Sequence, residues 1–280
     1  MTKLLHADFR KCLKGVYFWA GIAESLLCGL FFGLCTRKSP YIDDVYVMPI
    51  FIIIASVISL FVGVEHSDGG IRNKLVSGHK KGNIYLSLLI VNIVFSLLSS
   101  MVFLGSFSFL QIGRTFVFPK YALVGSALGF ILICLTYGII STLISVLNPR
   151  KAIATVCCII MVFATFAVCY AVEDILLRNE FIHIIEHNED GTETEHLFNN
   201  PKYVGGIPRK ILEFTEKAIP FGALKKYLFV ISGCFNPLLV TLSLSEEKAV
   251  LLNILPLYSV GVSIFFRTLG YLAFGKKELK

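Results

Sequence analysis

Long apolar runs separated by short polar stretches make up most of this chain. In a helix that rises 1.5 Å per residue, a run of about 20 residues crosses the roughly 30 Å hydrocarbon layer of a bilayer. None of the runs shows the two-residue alternation of a membrane β-barrel strand, and a helix satisfies its own backbone amides in lipid. The pattern predicts an all-α polytopic membrane protein with six transmembrane helices, at residues 16–35, 45–64, 84–110, 121–147, 152–172 and 249–274.

Composition supports a membrane location. Of 280 residues, 55% are hydrophobic and 16% are charged, and the mean hydropathy is +0.74. Soluble domains have about 45–50% apolar and about 25% charged residues. A water-soluble globular protein is therefore excluded. The net charge of +7 is explained by loops that face anionic lipid, so no nucleic-acid partner is inferred.

Lysine and arginine are distributed unequally between the two sets of loops. One set carries clusters at residues 3–14, 72–81, 150–151 and 276–280, whereas the short loops of the other set carry only Arg37, Lys38, Arg114 and Lys120. Cytoplasmic loops are the ones enriched in these residues. We therefore expect both termini on the cytoplasmic side.

The first and last parts of the chain extend this topology. Residues 1–14 are predicted to form an interfacial helix on the cytoplasmic surface, and residues 15–172 to contain transmembrane helices one to five. Residues 249–280 are predicted to form the sixth transmembrane helix and a cytoplasmic tail. The interfacial helix is expected to place Leu5, Phe9, Cys12, Leu13 and Val16 on one side and Lys3, His6, Arg10, Lys11 and Lys14 on the other.

Residues 173–248 are predicted to form an extracellular segment. Within it, residues 227–244 are apolar but are interrupted by Ser232-Gly233 and Asn236-Pro237, which predicts two short helices that dip into the membrane. An ordinary seventh span is the alternative. Residues 207–220 are predicted to form an amphipathic helix on the outer membrane surface, with Pro208 near its start and Pro220 after its end.

The polar stretch at residues 65–87 predicts a helix of about two turns near residues 69–77. Ser67 or Asp68 is the expected cap, and Gly78 is expected to end the helix in a left-handed conformation. Ile71 and Leu75 would share one face, flanked by basic residues. Because so short a helix is unstable alone, we interpret it as a plug for a groove on another protein, with a solvated connector as the alternative.

This stretch resembles the first cytoplasmic loop of bacterial type-two ATP-binding-cassette (ABC) permeases. The resemblance lies in "E-x-x-D-G-G-I-R-N-K-L-V-S-G", in the "IYLS" that follows it, and in the "KKELK" ending of the chain. It implies a permease subunit in the bacterial cell membrane, paired with a second copy or a homologous permease and with two cytosolic ABC ATPase subunits. The Gly69-Gly70 pair departs from the family's glycine followed by a larger residue, which would loosen the start of the helix.

The resemblance also implies roles for individual residues. The short helix would be the coupling helix, with Ile71 and Leu75 as its anchors in the ATPase cleft. Arg72 and Lys74 would meet acidic groups of the ATPase, and Glu65 would lie at the base of the second span. The implied coupling residues are Glu65, Gly69, Ile71, Arg72, Asn73, Lys74, Leu75 and Gly78.

The chain lacks a G-x-x-x-x-G-K-[ST] phosphate-binding loop, so it is predicted to be a non-catalytic subunit without a cofactor. ATP and Mg²⁺ would be bound by the partner ATPase. The expected activity is export of an amphiphilic substrate such as an antimicrobial peptide, a lipid or a drug. The alternative is a stand-alone membrane protein, either an ion-coupled carrier or a toxin-immunity protein.

The segment His183–His187 offers a further alternative. It matches the H-x-x-E-H pattern, in which two histidines one helical turn apart bind zinc and a glutamate activates water, so a membrane metalloprotease or a non-catalytic metal site is the alternative. Helical spacing would bring His183 and His187 together beside Glu186. His196, Glu193 or Glu195 are candidates to complete the site.

Two charged residues and one stripe of small residues stand out inside the predicted spans. Glu24 and Arg267 are candidates for an ion pair, although Arg267 can also extend to the headgroups and Glu24 can also contact substrate. Small residues recur every fourth position in the first span, which predicts a close packing seam with another helix, a second subunit being one candidate. They are Gly21, Ser25, Gly29 and Gly33.

Overall fold

Helices form almost all of the described structure. The computed structural model describes residues 1–38, 47–111, 120–187, 193–219, 222 and 246–277. These residues form nine helices and one β-hairpin. The elements are α1 (Thr2–Lys14), α2 (Val16–Lys38), α3 (Met48–Ser67), α4 (Gly70–Val76), α5 (Lys81–Leu110), α6 (Lys120–Leu147), α7 (Lys151–Leu176), β1 (Phe181–His187), β2 (Glu193–Asn199), α8 (Gly206–Ala218) and α9 (Glu246–Lys276).

Six of the described helices are long and apolar enough to cross a membrane. The chain is therefore a multi-pass helical membrane protein, as its hydrophobic pattern predicts. The observed spans agree with the predicted runs to within a few residues, except that the last apolar window starts later within α9. They are Val16–Cys35, Met48–Ser67, Lys81–Leu110, Val124–Leu147, Lys151–Leu176 and Leu257–Lys276.

The bundle is held together by helix pairs that are mostly distant in sequence. Helix α2 packs along α5, α6 along α9, and α3 against both α6 and α7. Aromatic side chains fill the centre: the rings of Phe103 and Phe130 stack with centroids 5.2 Å apart, and those of Phe51 and Tyr137 are 4.6 Å apart. In lipid, helix association depends on such close packing rather than on exclusion of water.

Polar side chains add specific contacts between the spans. Asn92 Nδ2 of α5 donates a hydrogen bond of 2.9 Å to Thr142 Oγ1 of α6. The hydroxyl of Ser59 in α3 donates to Thr155 in α7 at 3.0 Å. Each bond between spans contributes about 0.6 kcal/mol on average, so they fix the relative positions of the helices more than they raise overall stability.

The short helix α4 lies at one end of the bundle, between the last turn of α3 and the first turn of α5. This end, which we call the α4 end, also carries α1, the α6–α7 connection and the residue after α9. Lys277 Nζ donates to the Val146 and Leu147 carbonyls at 3.1 Å, and Lys81 Nζ donates to the Lys277 carbonyl at 2.6 Å. The hairpin and α8 follow α7 at the opposite end, where Arg209 Nη2 donates to the Leu176 carbonyl at 3.1 Å.

The segment between α7 and α9 differs partly from expectation. An amphipathic helix is confirmed as α8, with Ile207, Ile211 and Phe214 exposed along one side. The hairpin was not predicted: β1 and β2 pair antiparallel, from Phe181 opposite Asn199 to His187 opposite Glu193. The two dipping helices predicted at residues 227–244 lie outside the described residues.

Candidate functional site

Helix α4 begins and ends at glycines with positive φ. Gly69 precedes its first residue with φ +68°, and its carbonyl accepts a 2.8 Å hydrogen bond from the Asn73 amide. The predicted side-chain cap is wrong, because Asp68 still belongs to the end of α3 and its amide donates to the Val64 carbonyl at 2.9 Å. At the other end Gly78 has φ +84°, which confirms the predicted left-handed stop.

The second glycine of the Gly69-Gly70 pair has a separate structural reason. A Cβ atom at position 70 would lie 2.5 Å from Glu65 Oε2, well inside van der Waals contact. Position 69 needs glycine for its backbone conformation, and position 70 needs it because the Glu65 carboxylate passes directly over the helix start. The pair thus serves the local fold, and it does not loosen the first turn, which is helical from Gly70 onward.

The face of α4 that carries Ile71 and Leu75 is turned toward the chain itself. Ile71 is only 2% exposed and belongs to an apolar cluster with residues such as Val62 and Leu88, and Leu75 is partly buried against the same cluster. A side chain buried in its own subunit cannot insert into a cleft of another protein. The prediction that Ile71 anchors an ATPase is therefore corrected, because Ile71 anchors α4 to this bundle, whereas the same role for the partly buried Leu75 stays a prediction.

Lys74 is also engaged within the chain. Its Nζ lies 2.6 Å from Asp8 Oδ1 in α1 and 2.7 Å from Glu65 Oε2 in α3. Lys11 Nζ contacts the other oxygen of Glu65 at 2.6 Å, and Ser87 Oγ of α5 donates to Asp8 Oδ2 at 2.6 Å. We call these five residues the polar cluster. The expectation that Lys74 meets acids of an ATPase is corrected, because its ammonium group is bound to Asp8 and Glu65.

The two acids of the polar cluster are buried, and the cluster is electrically balanced. The side chains of Asp8 and Glu65 are 2% and 1% exposed, and their two charges are matched by those of Lys11 and Lys74. Buried ions gain little net stability as a set, but removal of one partner leaves a buried charge uncompensated at a cost of about 3–5 kcal/mol. The cluster therefore ties α1, α3, α4 and α5 into one unit at the α4 end.

With its inner face engaged, α4 presents a different surface outward. Arg72, Asn73, Val76 and Ser77 are exposed, and Val76 is 82% exposed. Arg72 and Val76 are four residues apart, so they are neighbours on the helix surface. We call these four residues the outer face of α4. Of the predicted coupling residues, Arg72 and Asn73 lie on this face, whereas Glu65, Ile71, Lys74 and Leu75 do not.

Sequence reasoning missed the contribution of α1. Its buried side is formed by Leu4, Asp8 and Cys12, spaced one turn apart, so the single acid of a basic helix is aligned with its buried face. The four-residue spacing of Leu4, Asp8 and Cys12 is the sequence signal that could have predicted this buried side. The predicted apolar side is partly correct, because Leu5 and Phe9 pack against the core, whereas Leu13 and Val16 are exposed.

Glu24 and Arg267 are both exposed in the subunit. In the part of the chain that the structure describes, no ion pair joins them, and α2 and α9 are not among the helix pairs in extensive contact. The predicted pairing of Glu24 with Arg267 is therefore not formed in this arrangement of the subunit. The interpretations of Arg267 as a headgroup contact and of Glu24 as a substrate contact stay predictions.

The stripe of small residues on α2 packs against the same chain. A Cβ at Gly29 would lie 2.4 Å from the Phe103 carbonyl oxygen of α5, and a Cβ at Gly21 would lie 2.9 Å from the Phe95 ring. Gly33 meets Leu110, and Ser25 is fully buried. The predicted seam is real, but it packs against α5, and at Gly21 also against Val57 of α3, rather than against a second subunit.

The histidine pattern lies on a β-strand rather than on the helix that a metalloprotease motif of this kind needs. His183, Glu186 and His187 belong to strand β1, so the prediction of helical spacing is wrong. Four residues of strand span about 13 Å, whereas four residues of helix rise about 6 Å. His196, Glu193 and Glu195 lie in β2. The side chains of residues 182–196 lie outside the described part of the structure, so a metal site there stays a prediction.

Comparison with known proteins does not identify a family. No protein-family model matches the chain, and no curated protein matches it at a significant level. The functional argument therefore depends on the geometry of the α4 end and on the sequence pattern described above.

Proposed function

We propose that this chain is the permease subunit of an ATP-driven ABC exporter in a bacterial cell membrane. In this proposal the outer face of α4 docks onto a cytosolic ABC ATPase, which binds ATP and Mg²⁺ and performs the hydrolysis. Two ATPase subunits serve a pair of permeases, formed with a second copy or with a homologous permease. Both termini lie in the cytoplasm, and the cargo is an amphiphile such as an antimicrobial peptide, a lipid or a drug.

One observation carries this proposal. A two-turn helix that would be unstable alone is fixed rigidly to the bundle by Ile71 and Lys74, yet presents an exposed Val76 beside Arg72. A solvated connector needs no such fixation. A helix that receives a mechanical input does, because a push on its outer face must be transmitted to the spans rather than absorbed by local unfolding.

The contacts of α4 indicate which spans would respond. The polar cluster links α4 directly to α1 and α3 and, through Asp8 of α1, to α5, which in turn packs along α2. Closure of two ATPase subunits would move both α4 helices, and these four helices would move with them as a body. Such rigid-body movement of packed helices is the usual basis of alternating exposure of a transport path.

Co-purification with mutation of the outer face tests the proposal. In the source bacterium the tagged chain should retain a cytosolic ATPase and ATP hydrolysis after mild detergent extraction. Val76→Asp and Arg72→Glu should abolish both, while the level of the permease itself stays constant because both side chains are exposed. Lys210→Glu, an exposed charge reversal on α8 at the opposite end, is the matched control and should retain the ATPase. The proposal is wrong if the wild type and the three variants all retain the same ATP hydrolysis activity. It is also wrong if none of the four retains any.

A labelling experiment tests the orientation separately. Ser77 at the α4 end and Lys202 between β2 and α8 are both exposed. In intact cells, an impermeant maleimide should label Lys202→Cys and should label Ser77→Cys only after permeabilisation. The reverse pattern would place the α4 end outside the cell and exclude docking of a cytosolic ATPase there.

A further inference from the structure

A pocket of about 370 Å³ opens between α1 and α4. Its lining includes three lysines, Lys3, Lys11 and Lys74, together with His79 and Asn73. The two acids of the polar cluster, Asp8 and Glu65, form its floor. The volume falls within the range of about 300–1,000 Å³ that small-molecule sites occupy.

Some lysine N–H groups in the pocket are not engaged by the chain's own acids and can donate to a bound anion. Each lysine ammonium has three N–H groups, and Lys74 uses two of them on Asp8 and Glu65, while Lys11 makes one short contact with Glu65 and a longer one, 3.9 Å, with Asp68. Among the described residues Lys3 makes no ion pair with the chain. The lining lysines outnumber the lining acids by three to two, so the balanced pairs leave one positive charge, that of Lys3, at the rim.

The position of the pocket indicates the source of such an anion. It lies where α3 ends and α5 begins, beside a helix whose Lys3, Arg10 and Lys14 are exposed. Trp19, one turn into α2, is 60% exposed and donates from Nε1 to the Leu13 carbonyl at 2.8 Å. Tryptophan with its ring in lipid and its N–H satisfied is typical of the headgroup level, so α1 and the pocket lie at the membrane surface.

We propose that this pocket binds the phosphate-bearing headgroup of an anionic membrane lipid. Lys3 and the remaining donors of Lys11 and Lys74 contact the phosphate oxygens, and Leu4 and Ala7 line the apolar part of the pocket. The bound headgroup bridges α1 and α4, so lipid composition acts on the unit that the polar cluster holds together. The site goes beyond the proposed role of α4 in ATPase docking, and it adjoins the outer face of α4, because Asn73 and Ser77 also line the pocket.

Binding of short-chain phosphatidylglycerol to the full-length protein in detergent tests this site, with phosphatidylcholine of the same chain length as the neutral lipid. Phosphatidylglycerol should bind more tightly, and Lys3→Glu should weaken it by about fivefold or more. Lys14→Glu makes the same charge change on the same helix but does not line the pocket, and it should leave the affinity nearly unchanged. Equal weakening in both variants would mean attraction by surface charge alone and would overturn the proposal.

A second variant and a competitor complete the test. Ala7→Leu adds volume at an exposed position of the lining without changing charge, and it should also reduce phosphatidylglycerol binding. Glycerol phosphate should compete only weakly. If it binds as tightly as the lipid, the ligand is a soluble phosphate ester and the lipid assignment is wrong, and if Ala7→Leu and Lys3→Glu both bind like the wild type, the pocket is not the site.

Discussion

The ammonium group of Lys74 lies 2.6 Å from Asp8 Oδ1, although the two residues are 66 positions apart in the chain. This contact joins the short helix α4 to the amphipathic helix α1 at the α4 end, and Glu65 holds the same ammonium at 2.7 Å. The pair explains why a helix of two turns has a fixed orientation. It also determines which residues of α4 remain available to another protein.

Asp8→Asn should lower the free energy of unfolding by about 3 kcal/mol, because it leaves an excess positive charge in a buried cluster. Denaturant titration in detergent micelles measures the change. Asp68→Asn is the control: its carboxylate is 59% exposed and lies 3.9 Å from Lys11, so its removal should cost less than about 1 kcal/mol. Equal losses for the two variants would show that the Asp8 carboxylate is not buried.

The double variant Asp8→Asn with Lys74→Met should be more stable than the sum of the single losses predicts. It removes one charge of each sign and leaves the Glu65–Lys11 pair, 2.6 Å apart, as a balanced remainder. A coupling energy of about 1–3 kcal/mol is expected from a double-mutant cycle of residues in direct contact. Strict additivity would mean that Asp8 and Lys74 do not interact.

Gly70→Ala should destabilise α4 even though alanine is the better helix former. Its Cβ would meet Glu65 Oε2 at 2.5 Å and displace the carboxylate from Lys74. Gly105→Ala in α5 meets nothing within 4 Å and should be neutral or slightly stabilising. Faster amide hydrogen exchange at residues 70–78 in Gly70→Ala, but not in Gly105→Ala, checks this expectation.

The parts of the structure that follow local rules could be predicted from the sequence. A span needs only length and apolar character, so the apolar runs at residues 84–110 and 121–147 predict the bounds of α5 and α6 closely. Gly78 could be predicted as a stop because a left-handed residue is a local requirement. The α2 seam could be predicted for the same kind of reason, since Gly21, Ser25 and Gly29 recur at helical spacing.

The choice of packing partner could not be predicted in this way. Ile71 and Leu75 are apolar neighbours on a short helix, and that pattern is the same whether the groove belongs to another protein or to the chain's own core. The sequence does not indicate a partner for Asp8, because Lys74 lies 66 residues away in the chain. The strand Phe181–His187 could not be predicted from the histidine spacing, which fits a helical period, although three isoleucines, a residue type that favours strands, lie within it.

Gly29→Val should weaken the subunit itself. The added side chain would start 2.4 Å from the Phe103 carbonyl oxygen, on the backbone of α5, which cannot move aside as a flexible side chain does. Overpacking of this kind costs about 1–3 kcal/mol. Gly125→Val in α6, where a Cβ meets nothing within 4 Å, is the matched control. If Gly29→Val changes only the oligomeric state and leaves subunit stability intact, the seam faces another subunit.

Cys12 should react slowly with alkylating reagents at mildly alkaline pH. Burial, and then the nearby Asp8 carboxylate, raise the pKa of its thiol to about 12, and a raised pKa means less thiolate at any given pH. At pH 9 the thiolate fraction is about a thousandth, compared with a mostly ionised thiol of ordinary pKa. Peptide mass spectrometry after iodoacetamide treatment measures the rate, with the detergent-unfolded chain as reference. A folded chain that reacts as fast as the reference would contradict the burial of Cys12.

Lys277→Met should loosen the attachment of the last span to the bundle. Lys277 Nζ donates to the carbonyls of Val146 and Leu147 at 3.1 Å, where the last turn of α6 has no further amide donors of its own. A cation at a helix C-terminus also interacts favourably with the helix dipole. Loss of both effects should lower the free energy of unfolding by about 1 kcal/mol. Lys276→Met removes an identical side chain from the adjacent, exposed position, and it should change stability by less than about 0.5 kcal/mol.

Proteolysis of the α6–α7 connection provides an independent measurement, because Arg150 is exposed there and becomes more accessible to trypsin once α6 frays. Faster cleavage at Arg150 in Lys277→Met alone would show that this lysine ties the end of α9 to the end of α6, and equal cleavage of both variants would show that it does not.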